Sequence, residues 1–316
     1  MKIERNKCGR LTGARILAVM LLSVRAAGAQ APSGTMVGVQ DLAWSHDGRT
    51  VYFSAMRVKR DYSDYSPAKW AVYRYDLADG TTRLFSDSSF SVAASPREAL
   101  IIVGKLVSGN RDLFLVDGTG SERLRLTSDP SEDFGAAWSP DGRAIAFTSK
   151  RGGHSEVYVA RTDGTDARRL TSASSDRTLN PTWSPDGRYI AYYREKGDGK
   201  DQIHVLRADG SADVNVTGDA FNNVYPGWTP DGRVVYGQGS KGAPTRAFTV
   251  DVDGNGKRPL HDIKSFFVRY SPDGSRIAFL EEHPESDGMH VVIASAGGTV
   301  LERVPLGVVG EARARE

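Results

Sequence analysis

One cysteine, Cys8, in 316 residues leaves the chain without the means for an internal disulfide or a thiolate metal site. Long apolar runs are also missing. The longest candidate, Ile16 to Val24, is about half of what a membrane-spanning helix needs, and Arg25 ends it. Histidine is scarce, at six residues, and no Gly-x-Ser-x-Gly elbow, HExxH helix or P-loop occurs. The usual hydrolase and nucleotide-binding readings therefore lack their minimum residues.

An excess of basic charge is absent once the ends are treated separately. Lys2, Arg5, Lys7, Arg10 and Arg15 precede the short apolar run, and Ala27-Gly28-Ala29 fits a small-residue cleavage site, so residues 1 to 29 read as a secretory signal. That segment holds six of the 41 Lys and Arg and one of the 39 Asp and Glu, which leaves 35 basic against 38 acidic residues. The pI of 8.5 describes the precursor and is no argument for nucleic-acid binding. The expectation is an exported, periplasmic or secreted protein with no transmembrane span after cleavage; retention of the signal as an anchor is the alternative.

What is present is a repeat. WSPDGR stands at Trp138 to Arg143 and at Trp183 to Arg188, with WSHDGR from Trp44, WTPDGR from Trp228 and YSPDGS from Tyr270. The Asp falls at 47, 141, 186, 231 and 273, so successive copies lie 94, 45, 45 and 42 residues apart. The 94 is two periods, with the weak copy ASPREAL at Ala94 to Leu100 between. After each motif come two alternating apolar segments, an Asp-Gly turn and a last short segment, as in Ala144 to Thr148, Glu156 to Arg161, Asp163-Gly164 and Arg168 to Thr171. That order predicts a four-stranded antiparallel meander. In the motif, Pro presets a turn, Asp is accepted after it, and Gly supplies the left-handed residue of a three-residue hairpin. The aromatic is large enough to fill space between neighbouring sheets.

The pattern from Ala137 to Thr171, with WSPDG, IAF, the DG turn and RRLT, resembles the WD40-like (PD40) propeller repeat of the TolB family of periplasmic proteins. The resemblance covers essentially residues 36 to 305 and implies an all-β, six-bladed β-propeller of four-stranded blades over 30–307, closed between its first and sixth units, with 308–316 a frayed tail. A complete TolB carries an α/β domain before its propeller, where only Gln30 to Thr35 stand here, so the resemblance concerns the propeller part. It implies a monomeric, non-catalytic scaffold for a protein or peptide of the cell envelope; the alternative is a propeller enzyme, such as a polysaccharide lyase or hydrolase, with its site at the channel mouth.

In an up-and-down meander the first and third turns share one face of the disc. The longer, more varied loops gather on the other, where binding is expected. Three clusters carry that expectation. Tyr62, Tyr65 and Trp70 lie in an insertion of the first unit, readable as a contact surface or as a loop packed on its own aromatics. Phe221, Asn222 and Asn223 precede an inner strand. Arg269 occupies the position before the motif aromatic, where the other units have Ala43, Ala93, Ala137, Thr182 and Gly227; it reads as an anion-holding group in the channel or as an ion-pair partner of Asp133 or Asp262. His154, His261 and His283 are candidates for a shared metal or for catalytic groups. Asp251, Asp253 and Asn255, with Gly256 and Asp262, follow the opening of a calcium loop, against which Asp253-Gly254 aligns with the ordinary hairpin of the repeat. No cofactor is expected beyond that calcium.

Overall fold

A computed structural model describes residues 34–172, 176–240, 243–283 and 288–311. The secretory signal read in residues 1 to 29 lies outside them. The described chain is β-strand and turn, with one short 3-10 turn at Pro67–Lys69 and no α-helix.

The strands form four four-stranded sheets and one eight-stranded sheet. Each four-stranded sheet is a sequential antiparallel meander. The eight-stranded sheet joins the first four strands of the chain to the last four through one parallel bridge, Val37 to Gly288. An early segment thus does cross the seam between the two ends. Six strands begin the meanders: Thr35–Trp44, Ser89–Ala94, Asp133–Trp138, Arg177–Trp183, Asn222–Trp228 and Val268–Tyr270.

The repeated hexapeptide is a hydrogen-bonded unit within itself. In the third copy Ser139 Oγ donates to Asp141 Oδ1 at 2.6 Å, the carboxylate accepts Arg143 N at 3.0 Å, and Ser139 Oγ accepts Ala144 N at 2.9 Å. Gly142 N closes the turn on Ser139 O at 2.9 Å, with φ at 72°. The same serine-to-aspartate bond recurs at Ser45–Asp47, Ser184–Asp186 and Ser271–Asp273, and Thr229 replaces the serine at Asp231. These bonds hold the Asp47, Asp141 and Asp273 carboxyls below the ordinary range, Asp273 at about 2.

The threonine that ends the second, third and fourth units has a matching task. Thr127, Thr171 and Thr217 accept the backbone N–H of Leu113, Val157 and Ile203 at 3.0, 2.9 and 3.0 Å. Their hydroxyls extend the pairing of fourth strands that are only two to four residues long.

Sheet is locked to sheet by the motif tryptophans. Trp138 Nε1 donates to Ala93 O at 3.1 Å, Trp228 Nε1 to Thr182 O at 3.1 Å, and Trp44 Nε1 to Arg269 O at 3.0 Å. Each acceptor is the residue before the motif aromatic of the preceding unit, so the third bond joins the last unit to the first. The turns between third and fourth strands also press on the preceding sheet: a Cβ on Gly164 would lie 2.1 Å from Leu126 O, and one on Gly120 2.3 Å from Phe85 O.

Residues 308–311 depart from one expectation, and the rest of that tail lies outside the described residues. Residues from Val308 were expected to fray, yet Val309 is 0% exposed, its carbonyl accepts Arg57 Nε at 2.8 Å, and Gly310 N donates to Tyr73 at 3.0 Å. Buried Val304 and Val309 belong to an apolar cluster shared by the first and last units, which is what holds this segment down.

Candidate functional site: the central channel

All six starting strands line one cavity of about 530 Å³, within the usual range of ligand sites, about 300–1,000 Å³. Its turn-side rim is built from the repeated motif itself: Pro96, Pro140, Pro185, Pro230 and Pro272, with His46 where the first copy has lost its proline. The varied-loop face was expected to carry the site. The concave surface also reaches the short-turn face, where the motif prolines line it.

Arg269 stands on the cavity wall. Its guanidinium carbon sits 4.0 Å from the centre of the Phe267 ring, and one N–H bonds Val268 O at 3.0 Å. Neither sequence-suggested partner is available, since Asp133 pairs with Arg151 and Asp262 with Arg246, each at 3.0 Å. Among the described residues no carboxylate lies within ion-pair distance of Arg269. Space for the guanidinium comes from Gly227, where a Cβ would fall 2.8 Å from Arg269 Nη1. Enclosure by the channel wall lowers the Arg269 pKa to about 10, and the charge of Asp41 partly offsets this.

Asp41 is the only carboxylate on the wall among the described residues, and sequence reading did not single it out. It accepts Leu42 N at 3.0 Å and, from the next sheet, Val92 N at 3.2 Å. Desolvation nevertheless pushes its carboxyl up to about 6, against the opposing pull of Arg269 and the two N–H groups. Arg111 also reaches the cavity, its guanidinium 5.0 Å from the Phe90 ring and 5.5 Å from the Phe134 ring. Two further wall residues hold left-handed backbone without being glycine, Asn180 at φ 51° and Tyr225 at φ 53°. Both stand three positions before a motif tryptophan, at the irregular step of their strands, where the third unit has Gly135 at φ 64°. The signal available in sequence was the one used for Arg269, a residue unlike its counterparts in the other units; it marks His46, where the others have Pro, but not Asp41, whose counterparts Ser91, Gly135, Asn180, Tyr225 and Phe267 all differ.

The other candidates do not converge on this cavity. Trp70 is 2% exposed and belongs to an apolar cluster against which Tyr62 and Tyr65 pack, with Tyr62 Oη 3.6 Å from Met36 Sδ. The insertion is thus largely packed on its own aromatics, and Trp70 is no surface contact. Phe221 is 44% exposed, with Lys257 Nζ 5.6 Å from its ring centre. Asn222 accepts Asp201 N at 3.2 Å. Asn223 is 0% exposed and fully engaged, donating to Asp219 at 2.8 Å and accepting from Gln238 at 2.8 Å.

The histidines stand apart in the same way. His154 is exposed in a loop of the third unit. His261 Nε2 lies 3.0 Å from Ala296 O, wedged on the Asp-Gly-type turn of the last unit at the position where earlier units place Phe85, Leu126 and Leu170. The His283 side chain lies outside the described residues. Among the described residues no three His, Cys, Asp or Glu are grouped to hold a metal ion. In the calcium-like segment Asp251 is bound by Arg233, Gly254 N closes a turn on Asp251 O at 3.0 Å, and Asn255 N donates to Asp253 at 3.0 Å, which is hairpin geometry. The glycine spacing of Gly237-Gln-Gly239-Ser-Lys-Gly242 has the form of a dinucleotide-binding loop, but Gly237 and Gly239 lie inside strand Val234–Ser240. A Cβ on Gly237 would fall 2.3 Å from Phe266 Cα, so that glycine admits a neighbouring chain.

With this geometry in hand, the family model of the TolB beta propeller domain, PD40, matches residues 42–268. The chain belongs to the TolB β-propeller family. Among its relatives are a protein TolB homolog of Chlorobium chlorochromatii, 31% identical over 91 residues, and a Tol-Pal system protein TolB of Anaeromyxobacter dehalogenans, 32% identical over 106 residues. These matches cover 28% and 33% of this chain and only 21% and 24% of the relatives' own lengths. A structure provisionally named TolB from Agrobacterium tumefaciens superposes with a TM-score of 0.60 at 24% identity, covering 84% of this chain and 92% of the other. An oligogalacturonate lyase in complex with manganese reaches 0.56 at 16% identity, covering 83% and 76%. Such structural likeness shows the shared fold alone. Among the described residues no helix is long and apolar enough to cross a membrane.

Proposed function

We propose that this TolB-family chain is an exported, non-catalytic scaffold of the cell envelope that takes a protein or peptide partner at its central channel, as a six-bladed propeller whose eight-stranded sheet is the first and last blades meeting at the seam. The observation that carries this reading is the cavity rimmed by five motif prolines, with an arginine in its wall that no carboxylate among the described residues meets at ion-pair distance. Prolyl rings around a narrow concave site suit an extended peptide, whose apolar side chains can pack on them while its backbone bonds to polar groups of the wall. The family match and the relative named for the Tol-Pal system support a periplasmic setting and a protein partner.

An enzyme acting on an exported substrate has less support, because His261 is committed to a contact between adjacent units and His154 stands in a different loop. The test is a pull-down from envelope extract with the exported chain, comparing wild type with Ala137→Trp, which fills the channel, and with a variant lacking the Tyr62 to Trp70 insertion. Loss of a partner in the channel variant alone is expected. Loss only with the insertion deleted returns the site to the varied face, and equal recovery from all three removes both surfaces.

A further inference from the structure

The charges on the channel wall run against those of the chain. Outside its first 29 residues the chain carries more acid than base, yet the cavity lining holds Arg111 and Arg269 against Asp41 alone. Field lines concentrate in such a low-dielectric recess, so this local excess sets the sign of what is attracted. Arg111 is already sandwiched near two aromatic rings and lies 3.7 Å from Glu132. Arg269 is different. Of its five N–H donors, one meets a backbone carbonyl, and the rest of the fork stands in the channel over Gly227 without an acidic partner among the described residues.

Position matters as much as charge. Arg269 immediately precedes Tyr270, Ser271 and Pro272, which also line the cavity, so the guanidinium lies close behind the prolyl rim. Its backbone is fixed twice, by pairing with Ala278 and by the bond its carbonyl accepts from Trp44. Its face is supported by the Phe267 ring. A planar donor fork held in place before the ligand arrives is suited to two parallel bonds with one carboxylate.

We propose that the channel selects acidic peptides, with the Arg269 guanidinium taking a peptide carboxylate just behind the proline rim. This rests on the peptide-scaffold reading above and adds to it the chemistry of the partner. A uronate oligosaccharide offers the same carboxylate but brings many hydroxyls. The rim hydroxyls of Ser184, Thr229 and Ser271 already donate to Asp186, Asp231 and Asp273, so beside the prolyl rings the rim has few free partners for a sugar, which favours the peptide.

The experiment uses the exported chain and random heptapeptides displayed on phage, panned in parallel on wild type, Arg269→Gln, Arg269→Lys and Asp41→Asn, each checked for an unchanged far-ultraviolet spectrum and melting profile. Wild type is expected to enrich Asp or Glu. One selected acidic peptide, synthesised and labelled, is expected to bind Arg269→Gln about tenfold or more weakly, Arg269→Lys in between, and Asp41→Asn more tightly. Peptides selected without acidic enrichment, or equal binding to wild type and Arg269→Gln, overturn the carboxylate assignment while leaving the scaffold standing. Should Arg269→Gln fail to fold, acidic enrichment on Asp41→Asn no greater than on wild type overturns it equally. Selection of no peptide by any variant removes the scaffold reading as well. Binding of trigalacturonate in preference to the selected peptide overturns the choice of a peptide.

Discussion

Trp44 Nε1 donates to the backbone carbonyl of Arg269 at 3.0 Å across 225 residues of sequence, joining the first unit to the last at the channel wall. The same contact joins units two to three and four to five. Trp183 breaks the series, since its Nε1 is buried without a hydrogen-bond partner among the described residues. Trp44→Phe should therefore cost about 1 kcal/mol, by losing a hydrogen bond between units, and Trp183→Phe should cost less. Urea unfolding of the two variants checks this, and equal losses would remove the hydrogen bond as the cause.

The Asp-Gly turns make a sharper contrast. Gly164 has φ at 83°, and a Cβ there would fall 2.1 Å from Leu126 O, whereas Gly153, at φ 90°, faces open space. Gly164→Ala is expected to destabilise by about 2 kcal/mol or more, and Gly153→Ala by about 1 kcal/mol, the backbone strain alone. Comparable melting temperatures for the two variants would show that the sheets yield at this contact.

Stability should fall on both sides of a mildly acidic optimum. The Asp41 and Asp201 carboxyls are pushed up to about 6 and about 7, chiefly by desolvation, so the folded state binds their protons more tightly than the unfolded chain does. Their ionisation penalty is absent below about pH 4 and complete above about pH 7, so stability drops as pH rises through that window. The turn carboxyls Asp47, Asp141 and Asp273 have the opposite sign. Their contribution is present above the usual aspartate range and is lost as pH falls towards about 2. Melting temperatures from pH 3 to 9 should peak near pH 5, and Asp41→Asn should flatten the alkaline arm. A maximum at pH 8 would contradict the assignment.

Calcium gives a simple expectation. With Asp251 held by Arg233 and Asp262 by Arg246, the carboxylates a calcium loop would supply are occupied by guanidinium groups. Addition of a chelator should leave the melting temperature unchanged. A fall of several degrees would restore the calcium reading.

The sequence by itself determined the local chemistry. Pro, Asp and Gly at fixed spacing form the turn wherever they fall, since its bonds run between Ser139, Asp141, Arg143 and Ala144, all within six residues. Period-two alternation and the 45-residue spacing carried the meanders and the family, because these are repeated properties. Arg269 was visible for the complementary reason, as an exception to a repeat. What only the tertiary structure decided concerns contacts between units: Trp44 on Arg269, Gly227 making room for a guanidinium, Asp41 bound to Val92, and Val309 packed on the first unit. The varied face drew attention because loop length is legible in one dimension. Which ends of the strands converge to enclose a cavity is a property of the ring, and there the motif read as a mere turn supplies the rim.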